Sequence, residues 1–168
     1  DLRGLELNLS GKVLIVDPCS YVLPYSVAFS GAYLKGREVS YMGSCTKFNS
    51  QELKYFGEKV VLFNISNKKN ILGILNYLKM SIRVVLAARK YDHIIYQWSV
   101  ISVVDIIVFF ILRKKLYFTV HNHIQHSNKK ISYIYKLLAR LRIPLIFVSN
   151  FVKKEFESSV KPSGDIIL

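Results

Sequence analysis

The sequence predicts an α/β domain, a Rossmann-like, doubly wound and mainly parallel sheet, and three observations carry that prediction. Strand-like and helix-like segments alternate along the chain. The strand-like runs, such as Val13-Leu-Ile-Val16 and Leu145-Ile-Phe-Val148, do not alternate with polar residues, as expected of strands covered by helices on both faces. The 168 residues, 51% of them hydrophobic, have the length of one domain and can bury a sizeable core without disulfides or metal.

The elements follow in order. Strands are expected over 12–16, 37–42, 59–65, 93–98, 116–120 and 145–149, giving a sheet of six or seven strands. Residues 24–35 read as the first helix, with Pro24 in its opening turn and Gly36 just past its end. Residues 69–89 read as the longest helix. Its Ile71, Leu75, Leu78, Ile82 and Val85 share the side expected to cover the sheet, and Lys79 and Arg83 form a basic stripe elsewhere. The apolar stretch 94–112 has about the length of a membrane span, but Gln97, Ser99, Ser102 and Asp105 interrupt it. It reads instead as a buried strand followed by a helix apolar nearly all round and therefore buried. Residues 129–141 form the clearest amphipathic helix: Ile131, Ile134, Tyr135, Leu138 and Leu141 lie on one face, and Lys129, Tyr133, Lys136 and Arg140 on the other. Residues 1–157 thus form the domain. Residues 158–168, with Ser158, Ser159, Pro162, Ser163 and Gly164 before an apolar Ile166-Ile-Leu168, read as a linker and the start of a further domain.

Twenty-four basic against 11 acidic residues give +13, which favours a polyanionic partner. Nucleic acid, an anionic membrane and a phosphorylated substrate all fit that charge. Cys19 and Cys45 are too few for a disulfide framework and are expected as thiols in a cytoplasmic protein. The polar opening of the chain has no signal-peptide pattern.

In an open parallel sheet, ligands bind beyond the carboxyl ends of the strands. The residues expected there are Asp17, Ser20 and Tyr21, then Gln97-Trp98-Ser99, then His121-Asn122-His123, then Ser149-Asn150. The sharpest cluster is Thr119-Val-His-Asn-His-Ile-Gln-His126, whose imidazoles could hydrogen-bond hydroxyls or phosphates and titrate near neutrality. A polar loop whose histidines are merely solvated is the plain alternative. Zinc on three histidine nitrogens is another, although no nearby carboxylate or Cys completes such a site. Ser149 fits a helix N-cap.

Tyr117-Phe-Thr-Val-His-Asn-His-Ile-Gln-His126 resembles the strand and His-Asn segment of family 4-like glycosyltransferases. Ile146-Phe-Val-Ser-Asn-Phe-Val-Lys-Lys154 is similar to their following strand, Ser and helix, and residues 12–39 resemble the family's opening. The resemblance implies one half, the acceptor side, of a two-domain enzyme of GT-B architecture. The other half would hold the nucleotide-sugar, with no bound metal and no cofactor beyond that donor. The implied activity moves a sugar to a lipid-linked or saccharide acceptor in cell-surface polysaccharide synthesis, at the inner face of the plasma membrane. By the same resemblance His121 is the catalytic candidate. Acceptor-binding candidates at the same edge are Asp17, Ser20, Tyr21, Trp98, Asn122 and His126. The family's first loop often carries a Gly-Gly pair, and here Asp17-Pro-Cys-Ser-Tyr-Val-Leu-Pro24 has no glycine. That puts backbone contact to donor phosphate in doubt.

Other classes fit less well. No glycine-rich dinucleotide turn and no phosphate-loop lysine motif occurs, and the signatures of common nucleic-acid-binding modules are absent. No nucleic-acid partner is expected. A non-catalytic, membrane-docking subunit of a split glycosyltransferase stays open. The basic face with Lys129, Lys136 and Arg140 is the expected contact with an anionic membrane, against the alternative of an ordinary solvated helix face.

Overall fold

The computed structural model describes residues 11–19, 38–44, 60–63, 65, 70–121 and 133–159. Six strands form one sheet: β1 (Val13–Asp17), β2 (Val39–Ser44), β3 (Val60–Phe63), β4 (His93–Tyr96), β5 (Leu116–Val120) and β6 (Leu145–Phe147). Their order is β3-β2-β1-β4-β5-β6 and every neighbouring pair is parallel. This is the Rossmann-like arrangement expected from the sequence, with the direction of winding reversing between β1 and β4.

The register explains why these runs do not alternate in hydrophobicity. Leu14 pairs with Ile94 and Ile94 with Leu116, while Val16 pairs with both Met42 and Tyr96. These side chains form one buried face. Val13, Ile15, Tyr41 and Ile95 alternate onto the opposite face and are also buried, so both faces of the sheet are covered. Each fully buried aliphatic side chain of this kind contributes roughly 1.5–3 kcal/mol relative to exposure.

Four helices are described: α1 (Ile71–Ala87), α2 (Ser102–Leu112), α3 (Tyr133–Arg140) and α4 (Asn150–Ser159). Asn70 caps α1 by accepting from Leu72 N at 3.1 Å, and a 3-10 turn, Ala88–Lys90, closes it. Ser149 caps α4, its Oγ accepting from Val152 N at 3.2 Å, as the sequence suggested. Helix α3 ends with Ile143 N donating to Leu138 O and Arg142 N to Ala139 O, a closure that holds Arg142 at φ 53°. A chain of edge-to-face aromatic contacts runs Tyr96, Phe109, Phe118, Tyr135, Phe156, Phe147, at 5.0–6.2 Å between ring centroids. It ties α2, α3 and α4 to β4, β5 and β6.

Two expectations about helix faces are corrected. In α1 the buried residues are Gly73, Tyr77, Met80, Ser81 and Val84, whereas Ile71, Leu75 and Ile82 are exposed. The helix carries two apolar faces, and the sheet takes the less hydrophobic one, where Gly73 and Ser81 are small and Tyr77 reaches a buried hydrogen-bond partner. In α2, Asp105, Val108, Phe109 and Leu112 are buried, but Val103, Ile107, Phe110 and Ile111 are exposed. The run 94–112 does divide into strand and helix, yet the helix is buried on one side alone. Helix α3 matches its expected pattern, with Ile134 and Leu138 buried and Lys136 and Arg140 exposed. The helix expected over 24–35 lies outside the described residues, as does the chain beyond Ser159.

Candidate functional site

The switch between β1 and β4 opens at the carboxyl edge of the sheet. Gln97 N donates to Val16 O at 2.9 Å and extends the pairing one residue past β4. Asp17, the last residue of β1, is fully buried there and is in register with Gly43 of β2. A Cβ at position 43 would stand 2.8 Å from Asp17 O and 2.6 Å from a Tyr41 ring carbon, so only glycine lets β2 approach this closely.

His121 follows β5 directly. Its ring stacks on Trp98 with centroids 4.3 Å apart and planes 7° from parallel, and its Nε2 lies 2.9 Å from Gln97 Oε1. Strand ends two positions apart in the sheet order, β1 and β5, thus converge on the residues that follow β4 between them. The imidazole is 4% exposed, so it forms the floor of this edge rather than its rim. Trp98 is half-buried and lies over it. Burial lowers the His121 pKa from its ordinary 6.5 to about 4, leaving the ring neutral near pH 7. A neutral imidazole can donate from Nε2 to the Gln97 oxygen that faces it. Two buried donors close by, Trp98 Nε1 and Thr119 Oγ1, have no hydrogen-bond partner among the described residues.

The loop after β4 is fixed from below by Asp105. Its Oδ2 accepts from Ser99 Oγ at 2.7 Å, Val100 N at 2.9 Å and Ile101 N at 3.1 Å, and its Oδ1 accepts from the Tyr77 hydroxyl. The carboxylate reaches back over the first turn of α2, whose N-cap, Ile101, has no side chain able to cap. Burial raises the Asp105 pKa, and the four hydrogen bonds oppose that rise. Burial and the neighbouring carboxylate also hold the Tyr77 hydroxyl far above its ordinary pKa, so it stays a donor.

Of the residues expected from the sequence, Asp17, Trp98 and His121 stand at this edge. Ser20, Tyr21, Asn122, His123, His126 and Lys129 lie outside the described residues, and with them the three-histidine zinc alternative. Among the described residues no three His, Cys, Asp or Glu side chains converge as a metal site would need. Lys136 and Arg140 are exposed on α3. Gln97 and Ser99 were also expected at this edge and stand in the loop after β4, but the pairing of Gln97 with His121 and the Tyr77–Asp105–Ser99 network were not foreseen. The signal for Asp105 was an Asp inside an otherwise apolar run.

The neutrality of His121 has a measurable consequence. Its pKa is lower in the folded than in the unfolded protein, so its contribution is fully present above pH 6.5 and is lost as pH falls from 6.5 towards 4. The full effect is about 3 kcal/mol. Urea midpoints measured across that window are expected to fall more steeply for the wild type than for His121→Gln, and equal slopes would show that the imidazole is not held neutral by the fold.

No protein-family model matches the sequence, and a comparison with curated proteins finds no match. Among solved structures the chain is similar to MurG from Acinetobacter baumannii, at a TM-score of 0.52 and 12% identity, over 84% of this chain and 42% of that one. A ribokinase-like superfamily protein from Enterococcus faecalis aligns at a TM-score of 0.36 and 9% identity, over 83% of this chain and 57% of that one. The likeness to MurG agrees with the strand order in showing the fold, and the chain spans less than half of MurG's length.

Proposed function

We propose that this chain is the acceptor-side half of a glycosyltransferase of GT-B architecture, working with a second domain that binds the nucleotide-sugar. The observation that carries the reading is the placement of His121, from the family-like His-Asn segment, beside Trp98 and Gln97 at the switch edge. The share of the GT-B glycosyltransferase MurG that the chain matches, 42%, is what a single lobe of a two-lobe enzyme would take. In transfer, the bond between the anomeric carbon and the donor phosphate breaks and a bond to an acceptor hydroxyl forms. A neutral, buried imidazole suits orienting a hydroxyl or a loop better than neutralising phosphate. The acceptor is lipid-linked or a saccharide, which the half-buried Trp98 ring can meet at this edge. Asp17, Ser20, Tyr21, Asn122 and His126 are the further acceptor contacts in this reading.

The division of labour is testable by calorimetry. The 168-residue chain is expected to bind nucleotide-sugars weakly or not at all, whereas the same chain joined to a donor-binding half binds them and transfers sugar. Tight, selective donor binding by residues 1–168 would reverse the assignment of halves.

A further inference from the structure

The face of α1 with the strongest hydrophobic pattern is the one the fold leaves outside. Ile71, Leu75, Ile82 and Leu86 recur on its outer side, with Ile71 75% and Leu86 72% exposed. Helix α2 packs against α1 and repeats the arrangement with Val103, Ile107, Phe110 and Ile111, Val103 being 71% exposed. Their outer sides thus belong to neighbouring helices on one flank of the sheet, and soluble monomers rarely leave so much apolar surface in one place.

Along the two helices and their closing turns the exposed charge is of one sign. Lys79, Arg83, Arg89, Lys90, Arg113 and Lys114 are exposed on the two helices and the turns that end them. The sole acidic residue in 71–91 and 102–115 is Asp105, which is buried. Arg113 lies over the Phe110 ring at 4.4 Å, so a cation and an aromatic ring meet at the margin of the apolar surface.

From this arrangement we infer that the outer faces of α1 and α2 dock on an anionic lipid bilayer. Apolar side chains enter the headgroup boundary while the basic margin meets lipid phosphate. A second copy of the chain is a poorer occupant, because each copy brings +13 and the same cationic margin. Spanning is a poorer mode as well. Ile71–Lys90 is long and apolar enough to cross a bilayer, but Tyr77, Met80 and Val84 are locked in the core, so α1 lies along the surface. Both helices run back from the carboxyl edge of the sheet, so Ile71 and Val103 begin at the edge where His121 sits, and docking would bring that edge to the lipid surface. The face differs from the expected basic face of α3, where no large apolar side chain is exposed among those described.

Vesicle sedimentation tests the inference without donor or acceptor, so its result is independent of the glycosyltransferase reading. The protein is expected to sediment with vesicles containing phosphatidylglycerol, at least tenfold more than with pure phosphatidylcholine, and to be released by salt. Ile82→Gln with Ile107→Gln should cut that binding at least tenfold, and Lys79→Gln with Arg83→Gln should cut it too. Lys136→Gln with Arg140→Gln should leave it unchanged. Circular dichroism of each surface variant should match the wild type. Equal binding to neutral vesicles, loss through the α3 variant alone, or a solution dimer dissociated by the Ile82/Ile107 pair would each overturn the inference.

Discussion

Replacing Asp105 with alanine is expected to cost about 4 kcal/mol of stability, a large effect for a single substitution. Four donors converge on this carboxylate: the Tyr77 and Ser99 hydroxyls and the Val100 and Ile101 amides. Removing it leaves several of them buried and unpaired, and each such group costs about 1–3 kcal/mol, partly recovered where water or a rotated hydroxyl finds a new partner. Asp105→Asn should lose roughly half as much, because a carboxamide oxygen can still take the loop amides while Tyr77 turns to accept. The pH dependence separates the two effects. The Asp105 pKa is raised in the fold, so the wild type is helped by this group at pH below about 3.8 and loses that help as pH rises through the raised value. The asparagine variant has no such titration and should therefore gain on the wild type as pH rises. Thermal and urea unfolding of the three proteins measures both. An alanine variant within about 1 kcal/mol of wild type would mean that the loop after β4 is held by something other than this carboxylate.

All six strands and their approximate limits could be read from the sequence, and the central ones most plainly, because a strand buried on both faces leaves an apolar run that little else imitates. Val13–Asp17 and Leu116–Val120 are examples, with each residue buried except the half-buried Tyr117. The faces of the helices were less legible. A periodicity argument ranks faces by hydrophobicity, and for α1 it selects Ile71, Leu75 and Ile82. The sheet instead requires a face with small residues where the backbone comes close and a hydroxyl that can meet Asp105. Gly73, Ser81 and Tyr77 satisfy that requirement at lower hydrophobicity. The discrepancy is itself informative, since the rejected face is the one with the greatest apolar surface left to place. In the candidate site, His121 was visible as a histidine closing a buried strand. Its stacking on Trp98 and its bond to Gln97 were not, because both partners follow a different strand and only the β4–β5 register brings them together.

In the two-domain enzyme proposed above, His121→Ala is expected to lower turnover by roughly a hundredfold or more, the range for loss of a positioned hydrogen-bonding or acid-base group. The geometry shapes how that loss should look. The imidazole is buried beneath Trp98 and bonded to Gln97, so alanine removes the support of the indole and frees the Gln97 carboxamide as well as deleting the ring. A cavity there also destabilises the fold, and alanine alone would confuse misfolding with lost function. His121→Gln keeps most of the volume and a polar end, and His121→Phe keeps the stacking without the nitrogens. If the nitrogens matter, both variants should fold, and the phenylalanine variant should lose turnover about as severely as alanine. If the ring serves only to prop Trp98, phenylalanine should restore turnover while alanine does not. The pH profile gives a second readout, since a ring titrating at about 4 stays neutral and should impose no break in turnover between pH 6 and 8. Turnover at the wild-type level in both the alanine and the phenylalanine variants would reduce the segment after β5 to a structural turn, and only the fold would then support the glycosyltransferase reading.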